Sequence, residues 1–176
     1  MAAVTTKIMT DLMVYLLRQR GYVVETELRV MTGGNSRNNG EQRIDVWAIH
    51  PYPSKGLLTI ALEVKASRSD WLNELKKPRK RNYAILYSNE FYIVAAPNVV
   101  KLDELPKDMG LVTVYPLAER PRFSVDNLGD LAGCDVDRAF DSLITVKAPY
   151  RDRHPPTWPF VASLVRRLQA HGAASE

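Results

Sequence analysis

The chain has 176 residues, 45% of them hydrophobic and 25% charged, with a formal net charge of +4. That length suits one domain with its own core, and the composition excludes wholesale disorder. No apolar run approaches the roughly 20 residues of a membrane-spanning helix, residues 1–20 lack the apolar stretch of a secretory signal, and the single cysteine, Cys134, excludes an internal disulfide framework or a Cys-based zinc site, so a cytoplasmic setting is expected.

Residues 5–20 put Ile8, Leu12, Met13, Leu16 and Leu17 at helical spacing, with Thr5 or Thr6 as a cap and Gly21 as a stop. A β-rich run, Tyr22 to Val30, is followed by a polar Gly/Asn-rich loop over 32–42. Arg43–Ile49 and Leu57–Ala66 are the clearest strands, joined by a turn containing Pro51, Pro53 and Gly56. Ser67-x-x-Asp70 has capping-box form, so a helix begins near Ser67 or Ser69, with Trp71, Leu72 and Leu75 on its apolar face and Pro78 kinking or ending it. A second helical stretch over Arg79–Tyr87 precedes strand Phe91–Ala96, a short helix or turn over 101–109, and strand Leu111–Tyr115. No element is predicted between Pro116 and Asp141. A last strand at Leu143–Lys147 and an amphipathic helix at Pro159–Ala170 complete the series. Early strands followed by strands alternating with helices predict an α/β fold, a mixed central sheet flanked by helices, in one domain with its core over residues 5–116 and an extension over 117–176.

The charge is concentrated. From Lys65 to Arg81 there are seven basic residues (Lys65, Arg68, Lys76, Lys77, Arg79, Lys80 and Arg81) against Asp70 and Glu74, so this segment is +5 and the rest of the chain −1. Such a run is either a solvated helix face or a surface whose cations displace counterions from a nucleic acid backbone. A chemical site beside it favours the second.

The two clear strands supply one. In an antiparallel hairpin centred on Ser54, opposed residue numbers sum to 108, and Asp45 faces Glu63 with Cβ atoms about 4.5–5.5 Å apart. Lys65, two residues on, projects from the same side, while Val46, Ala48, Ile60, Leu62 and Val64 form an apolar opposite side. Two carboxylates so close repel unless one is protonated or a cation sits between them. Hard oxygen donors without His or Cys point to Mg²⁺ or Mn²⁺, which serve phosphodiester hydrolysis, with Lys65 orienting water or countering the developing charge. An acid-x-Lys tripeptide is expected about once by chance in such a chain; it occurs at Glu63-Val64-Lys65 and again at Glu74-Leu75-Lys76, and only the first has an opposed Asp. A surface cross-strand Glu–Lys pair is the plainer alternative.

Ile44-Asp45-Val46 and Glu63-Val64-Lys65 resemble the two motif halves of the PD-(D/E)XK nuclease superfamily. The run from Glu63 to Pro97, with DELPKDMGLVTVYP after it, is similar to the MmcB-like proteins and their phage relatives, over roughly residues 20–116. The first motif half carries Ile44 where many relatives have Pro. The resemblance implies a restriction-endonuclease-like core and Mg²⁺-dependent cleavage of DNA, in repair, recombination or phage DNA metabolism, inside a bacterial or phage-infected cell. It implies that Asp45, Glu63 and the main-chain carbonyl near Val64 bind metal, that Lys65 activates water, and that a further acid completes the catalytic set. Glu27 is the favoured candidate, ahead of Glu25 and Asp11. Lys80 and Tyr83 match positions near the DNA backbone, joining Arg68, Lys76, Lys77, Arg79 and Arg81 as the DNA-binding set. Many such nucleases act as homodimers.

Other chemistries fit less well. His50, His154 and His171 form no visible pair, and Gly33-Gly34 lacks the Lys-Ser/Thr of a P-loop. Trp47, Trp71 and Trp158 suit core or partly buried anchors, although Trp71 beside the basic segment also suits base stacking. Tyr83, Tyr87, Phe91 and Tyr92 suit packing of a helix on the sheet. Cys134 lacks a base partner. Beside a metal-dependent deoxyribonuclease stand two alternatives: a non-catalytic DNA-binding or adaptor module on the same scaffold, and a protein-interaction domain.

Overall fold

The Thr5 hydroxyl accepts the Ile8 N–H, satisfying one of the orphan donors at a helix start, and α1 (Thr6–Gln19) follows. Its apolar side chains at i, i+3 and i+4 spacing, Met9, Leu12, Met13, Leu16 and Leu17, are buried, each contributing about 1.5–3 kcal/mol through removal from water. Gly21 ends the turn at φ +83°, a conformation that costs a side chain with a Cβ. The computed structural model describes residues 3–30, 42–77, 81–119, 133–135 and 140–173. The expected loop over 32–42 lies outside these except for its last residue, as do Pro78, Arg79 and Lys80.

The strands are β1 (Val23–Val30), β2 (Gln42–Ile49), β3 (Thr59–Lys65), β4 (Glu90–Ala95), β5 (Gly110–Pro116), β6 (Gly133–Asp135) and β7 (Phe140–Val146). They form one seven-stranded sheet in the order β1-β2-β3-β4-β5-β7-β6. The pairs β1/β2 and β2/β3 are antiparallel, β3/β4 and β4/β5 parallel, and β5/β7 and β7/β6 antiparallel. The protein is therefore α/β with a mixed sheet. A turn through Pro53–Lys55, closed by Gly56 in the left-handed region, joins β2 to β3. The register is the one the alternation demands: Val46 opposes Leu62, Trp47 Ala61, Ala48 Ile60 and Ile49 Thr59. Shifting it by one residue would move every β3 side chain to the other face of the sheet, sending Ile60, Leu62 and Val64 away from α1.

Helices α2 (Arg68–Leu75) and α3 (Asn82–Leu86) lie between β3 and β4 in the chain, as parallel neighbours require a crossover. Ser67 caps α2 by accepting the Asp70 N–H. One face of the sheet packs Val46, Ala48, Ile60, Leu62 and Val64 with α1. The other packs Trp47, Ala61, Phe91 and Ile93 with Trp71, Ala84 and Phe160 from the remaining helices. Strand β4 is buried throughout, as expected where both faces are covered.

Several boundaries differ from expectation. The second helix after β3 is confined, among the described residues, to Asn82–Leu86 rather than 79–87. Strand β7 begins at Phe140, three residues early, because Phe140–Ser142 pair with β5 although Asp141 and Ser142 read as loop residues. Strand β6 pairs with it and had no signal in so short a segment. The terminal helix, α4 (Trp158–Ala173), packs on β1, with Phe160 against Trp47 and Tyr87 at ring-centroid distances of 5.5 and 4.3 Å. Trp158 is not an anchor: it is 84% exposed. No helix of the described residues is long and apolar enough to cross a membrane.

Candidate active site

Asp45 stands where both of its neighbouring ladders break. A regular β2/β3 ladder would continue with Asp45 opposite Glu63 and then Ile44 bonded to Val64, but the Val64 N–H donates instead to Asp45 Oδ2 (2.8 Å), and the pairing ends at Val46–Leu62. On the other side, the β1/β2 pairs run from Val23–Ile49 to Val30–Gln42 and omit only the step at which Glu27 meets Asp45. Glu27 has φ +53°, outside the strand region and rare for a residue with a Cβ. Glu27, Asp45 and Glu63 are thus aligned across three adjacent strands.

Glu27 Oε2 pairs with Arg43 Nη1 at 2.6 Å, and Arg43 Nη2 lies 3.9 Å from Asp45 Oδ1. The other two candidates for completing the set lie elsewhere: Glu25 is buried opposite Trp47, and Asp11 pairs with Lys7 within α1. Of the three, Glu27 is the one that the strand register sets beside Asp45, and its carboxylate is engaged by Arg43.

Lys65 is buried, and its Nζ donates to Glu63 Oε1 at 2.7 Å. A second carboxylate, Glu74 Oε2, lies 3.1 Å away. Glu74 projects from α2 and is itself buried; Arg81 Nη1 sits 3.5 Å from its Oε1 and donates to its backbone oxygen at 3.1 Å. Charges of alternating sign therefore run Glu63, Lys65, Glu74, Arg81 from the sheet into the helical layer. Glu74 carried no functional expectation. Its available signal was position: three residues after Trp71, it falls on the helix face that meets the sheet.

Electrostatics follow from this crowding. Burial, followed by the charge of Asp45, pushes the Glu63 carboxyl up to about 7, although Lys65 pulls it down. Burial also raises Asp45, opposed by the Val64 N–H and Lys65. For Lys65, desolvation works against the charged form, but the Glu63 and Glu74 carboxylates outweigh it and hold the ammonium above its ordinary range. Two carboxyls that each resist ionisation in the other's presence are a setting that a cation would relieve.

Among the described residues no group of three or more His, Cys, Asp and Glu side chains is arranged to hold a metal ion. The smaller donor set expected here is two carboxylates and a main-chain oxygen near Val64. With Asp45 Oδ2 and Glu63 Oε1 in hydrogen bonds, the oxygens that would face a cation are Glu63 Oε2 and Asp45 Oδ1, the latter with Arg43 Nη2 at 3.9 Å. All are hard donors, the chemistry that Mg²⁺ and Mn²⁺ prefer.

The basic segment divides. Lys76 and Lys77 are exposed. Arg68 is half-buried, its guanidinium paired with Glu104 and bonded to the Val99 carbonyl. Arg81 is only 8% exposed, which takes it off the surface and gives it to Glu74. Tyr83 is half-buried and stacks on Tyr87 with centroids 6.1 Å apart, the packing role. Trp71 is fully buried, with its indole N–H on Glu104 Oε2 at 3.2 Å, so it has no face for a base. Arg79 and Lys80 lie outside the described residues, as does the side chain of Cys134.

No family model and no curated protein matches the chain. Among solved structures it is similar to a protein of unknown function from Silicibacter pomeroyi, at 19% sequence identity and a TM-score of 0.57, over 99% of this chain and 90% of that one. Likeness at that identity carries the fold, here across nearly the whole chain, and no activity.

Proposed function

We propose that the protein is a divalent-metal-dependent deoxyribonuclease built on a restriction-endonuclease-like core. The observation that carries this reading is the convergence of Asp45, Glu63 and Lys65 at the point where β2 and β3 part. Residues that only stabilised a sheet would not leave two carboxyls in mutual repulsion beside a buried lysine. An antiparallel β1-β2-β3 unit that β4 joins in parallel is compatible with such a core.

In this reading Asp45 and Glu63 hold Mg²⁺ or Mn²⁺, with the main chain near Val64. The bound ion would supply Lewis acidity toward the scissile phosphate and water. The Val64 N–H orients Asp45, so that its second oxygen is presented at a fixed angle. Lys65 keeps its ammonium by the reacting centre, where it orients the attacking water and offsets negative charge developing on phosphorus. Lys76 and Lys77 contact the DNA backbone, and Glu27 completes the acidic row. Repair, recombination or phage DNA metabolism is the setting that the MmcB-like resemblance adds, with a homodimer as one way to cut two strands.

The test is a cleavage panel of linear, nicked, branched and single-stranded DNA with Mg²⁺ or Mn²⁺, for wild type and for Asp45→Ala and Glu63→Ala. Cleavage that is metal-dependent and lost in both variants supports the reading. No cleavage of any substrate, or variants as active as wild type, refutes it; salt-sensitive binding without metal dependence would instead indicate a non-catalytic DNA-binding module.

A further inference from the structure

We propose that Glu74, on the helix after the motif strand, is the positioning residue for the Lys65 ammonium, and that Arg81 holds Glu74 in place for this task. The proposal rests on the nuclease reading and adds to it a residue outside the two motif halves.

Three observations converge. Lys65 Nζ lies between two carboxylates, 2.7 Å from Glu63 Oε1 and 3.1 Å from Glu74 Oε2. Both oxygens of Glu74 meet cations, Oε2 at Lys65 and Oε1 at Arg81, so it is poorly placed as a metal ligand. Glu74 is also 4% exposed on a short helix whose neighbouring positions Leu72, Asn73, Lys76 and Lys77 face solvent. Burying a carboxylate is costly even when it is paired, and an apolar residue of similar volume is usually as stable or more so. Stability alone therefore does not account for the arrangement.

A positioning role does. Glu63 is asked to do two things: anchor Lys65 and hold a divalent cation. When its charge turns to a cation, its hold on the lysine weakens, and the cation repels the ammonium. Glu74 approaches from the helical layer and is free of the cation, so it keeps Nζ where the sheet places it. Arg81 spans the end of α2, from the Glu74 carbonyl to its carboxylate, and so fixes the carboxylate's distance from β3.

The test uses Glu74→Gln, Glu74→Asp, Lys65→Met and the double variant K65M/E74Q in the full chain. Metal-free protein is acetylated with an N-hydroxysuccinimide ester, and the rate at Lys65 is read by mass spectrometry relative to exposed Lys55 and Lys76. The expected result for E74Q is a relative rate at Lys65 raised by about tenfold, in line with loss of a buried charge-assisted bond. In the cleavage assay, E74Q should lower kcat by roughly 10–100-fold with little change in KM, as misplacing a reacting group does, and K65M/E74Q should be no slower than K65M. An unchanged labelling ratio, or losses that add in the double variant as general damage to the fold would, overturns the proposal. If E74Q does not fold, E74D keeps the charge and shortens its reach; labelling and kcat equal to wild type would again overturn it. A wild type that cuts no DNA removes the nuclease reading, and the labelling ratio then decides by itself whether Glu74 holds the lysine.

Discussion

Replacing Glu63 by glutamine should stabilise the metal-free protein at alkaline pH while abolishing its response to metal. Glu63 is 17% exposed at its side chain, and its carboxyl is raised from 4.5 to about 7 by burial and by Asp45. The folded state thus binds this proton more tightly than the unfolded chain does. Its contribution to stability is present in full below about pH 4.5 and is lost as pH rises through 7. At about 1.4 kcal/mol per tenfold change in acidity, the rise corresponds to roughly 3 kcal/mol of strain at pH 8. Asp45 shares that strain, and glutamine keeps only a neutral bond to Lys65, so a net gain of about 1–2 kcal/mol is the working figure. For a chain of this size it raises Tm by about 3–6 °C. The assay is thermal unfolding of wild type and E63Q in EDTA at pH 5 and pH 8, then with Mg²⁺ or Mn²⁺ at pH 8. Wild type should gain stability from metal, and E63Q should not. A lower Tm for E63Q in EDTA at pH 8, or the same gain at pH 5 as at pH 8, would show that the Lys65 pair outweighs the carboxylate repulsion and refute the reasoning.

Other consequences are as direct. Glu104 is held at about 2 by hydrogen bonds from Arg68, with the Trp71 N–H adding to them against desolvation; its share of stability is present above pH 4.5 and lost as pH falls towards 2, so Glu104→Gln should flatten the acid limb of a Tm-against-pH curve. A Cβ at Gly110 would collide with the Tyr92 ring and the Ala148 backbone, so Gly110→Ala should cost about 1–3 kcal/mol or more in a urea titration. Lys76→Ala and Lys77→Ala should each reduce the slope of log K against log salt for DNA binding by about 1. Arg81→Met should lower stability and leave that slope unchanged.

Much of the fold was legible because its signals are local. Thr5 and Ser67 cap the helices they precede, and the alternation in 43–49 and 59–65 fixes the β2/β3 register by bringing Val46, Ala48, Ile60 and Leu62 to the face that α1 covers. Elsewhere the decisive partner is distant in sequence. Phe140 to Ser142 belong to a strand because β5 lies beside them, and no periodicity in FDS announces that. Trp158 reads as an anchor by type, yet α4 docks through Phe160, two residues later and on the opposite side of the helix, and leaves Trp158 in solvent.

The site divides along the same line. Asp45, Glu63 and Lys65 come together through a single register, so two strands suffice to predict them. Glu74 has no comparable signature, because its acid-x-Lys tripeptide lies on a helix, where the strand motif does not apply; three-residue spacing from a buried tryptophan is the signal that places it. Arg81 reads as surface charge for a related reason. Net charge over a segment sums residues without regard to the direction in which they point. Among the described residues, the cations of the +5 segment separate into those paired with the fold's own carboxylates, Lys65, Arg68 and Arg81, and those given to solvent, Lys76 and Lys77. The paired cations answer carboxylates of the fold itself, the buried Glu74 above all, and a nuclease surface would draw on the others. Among the described residues of that segment, the electrostatic case for DNA contact thus narrows to Lys76 and Lys77, and the salt-slope measurement on these two tests it directly.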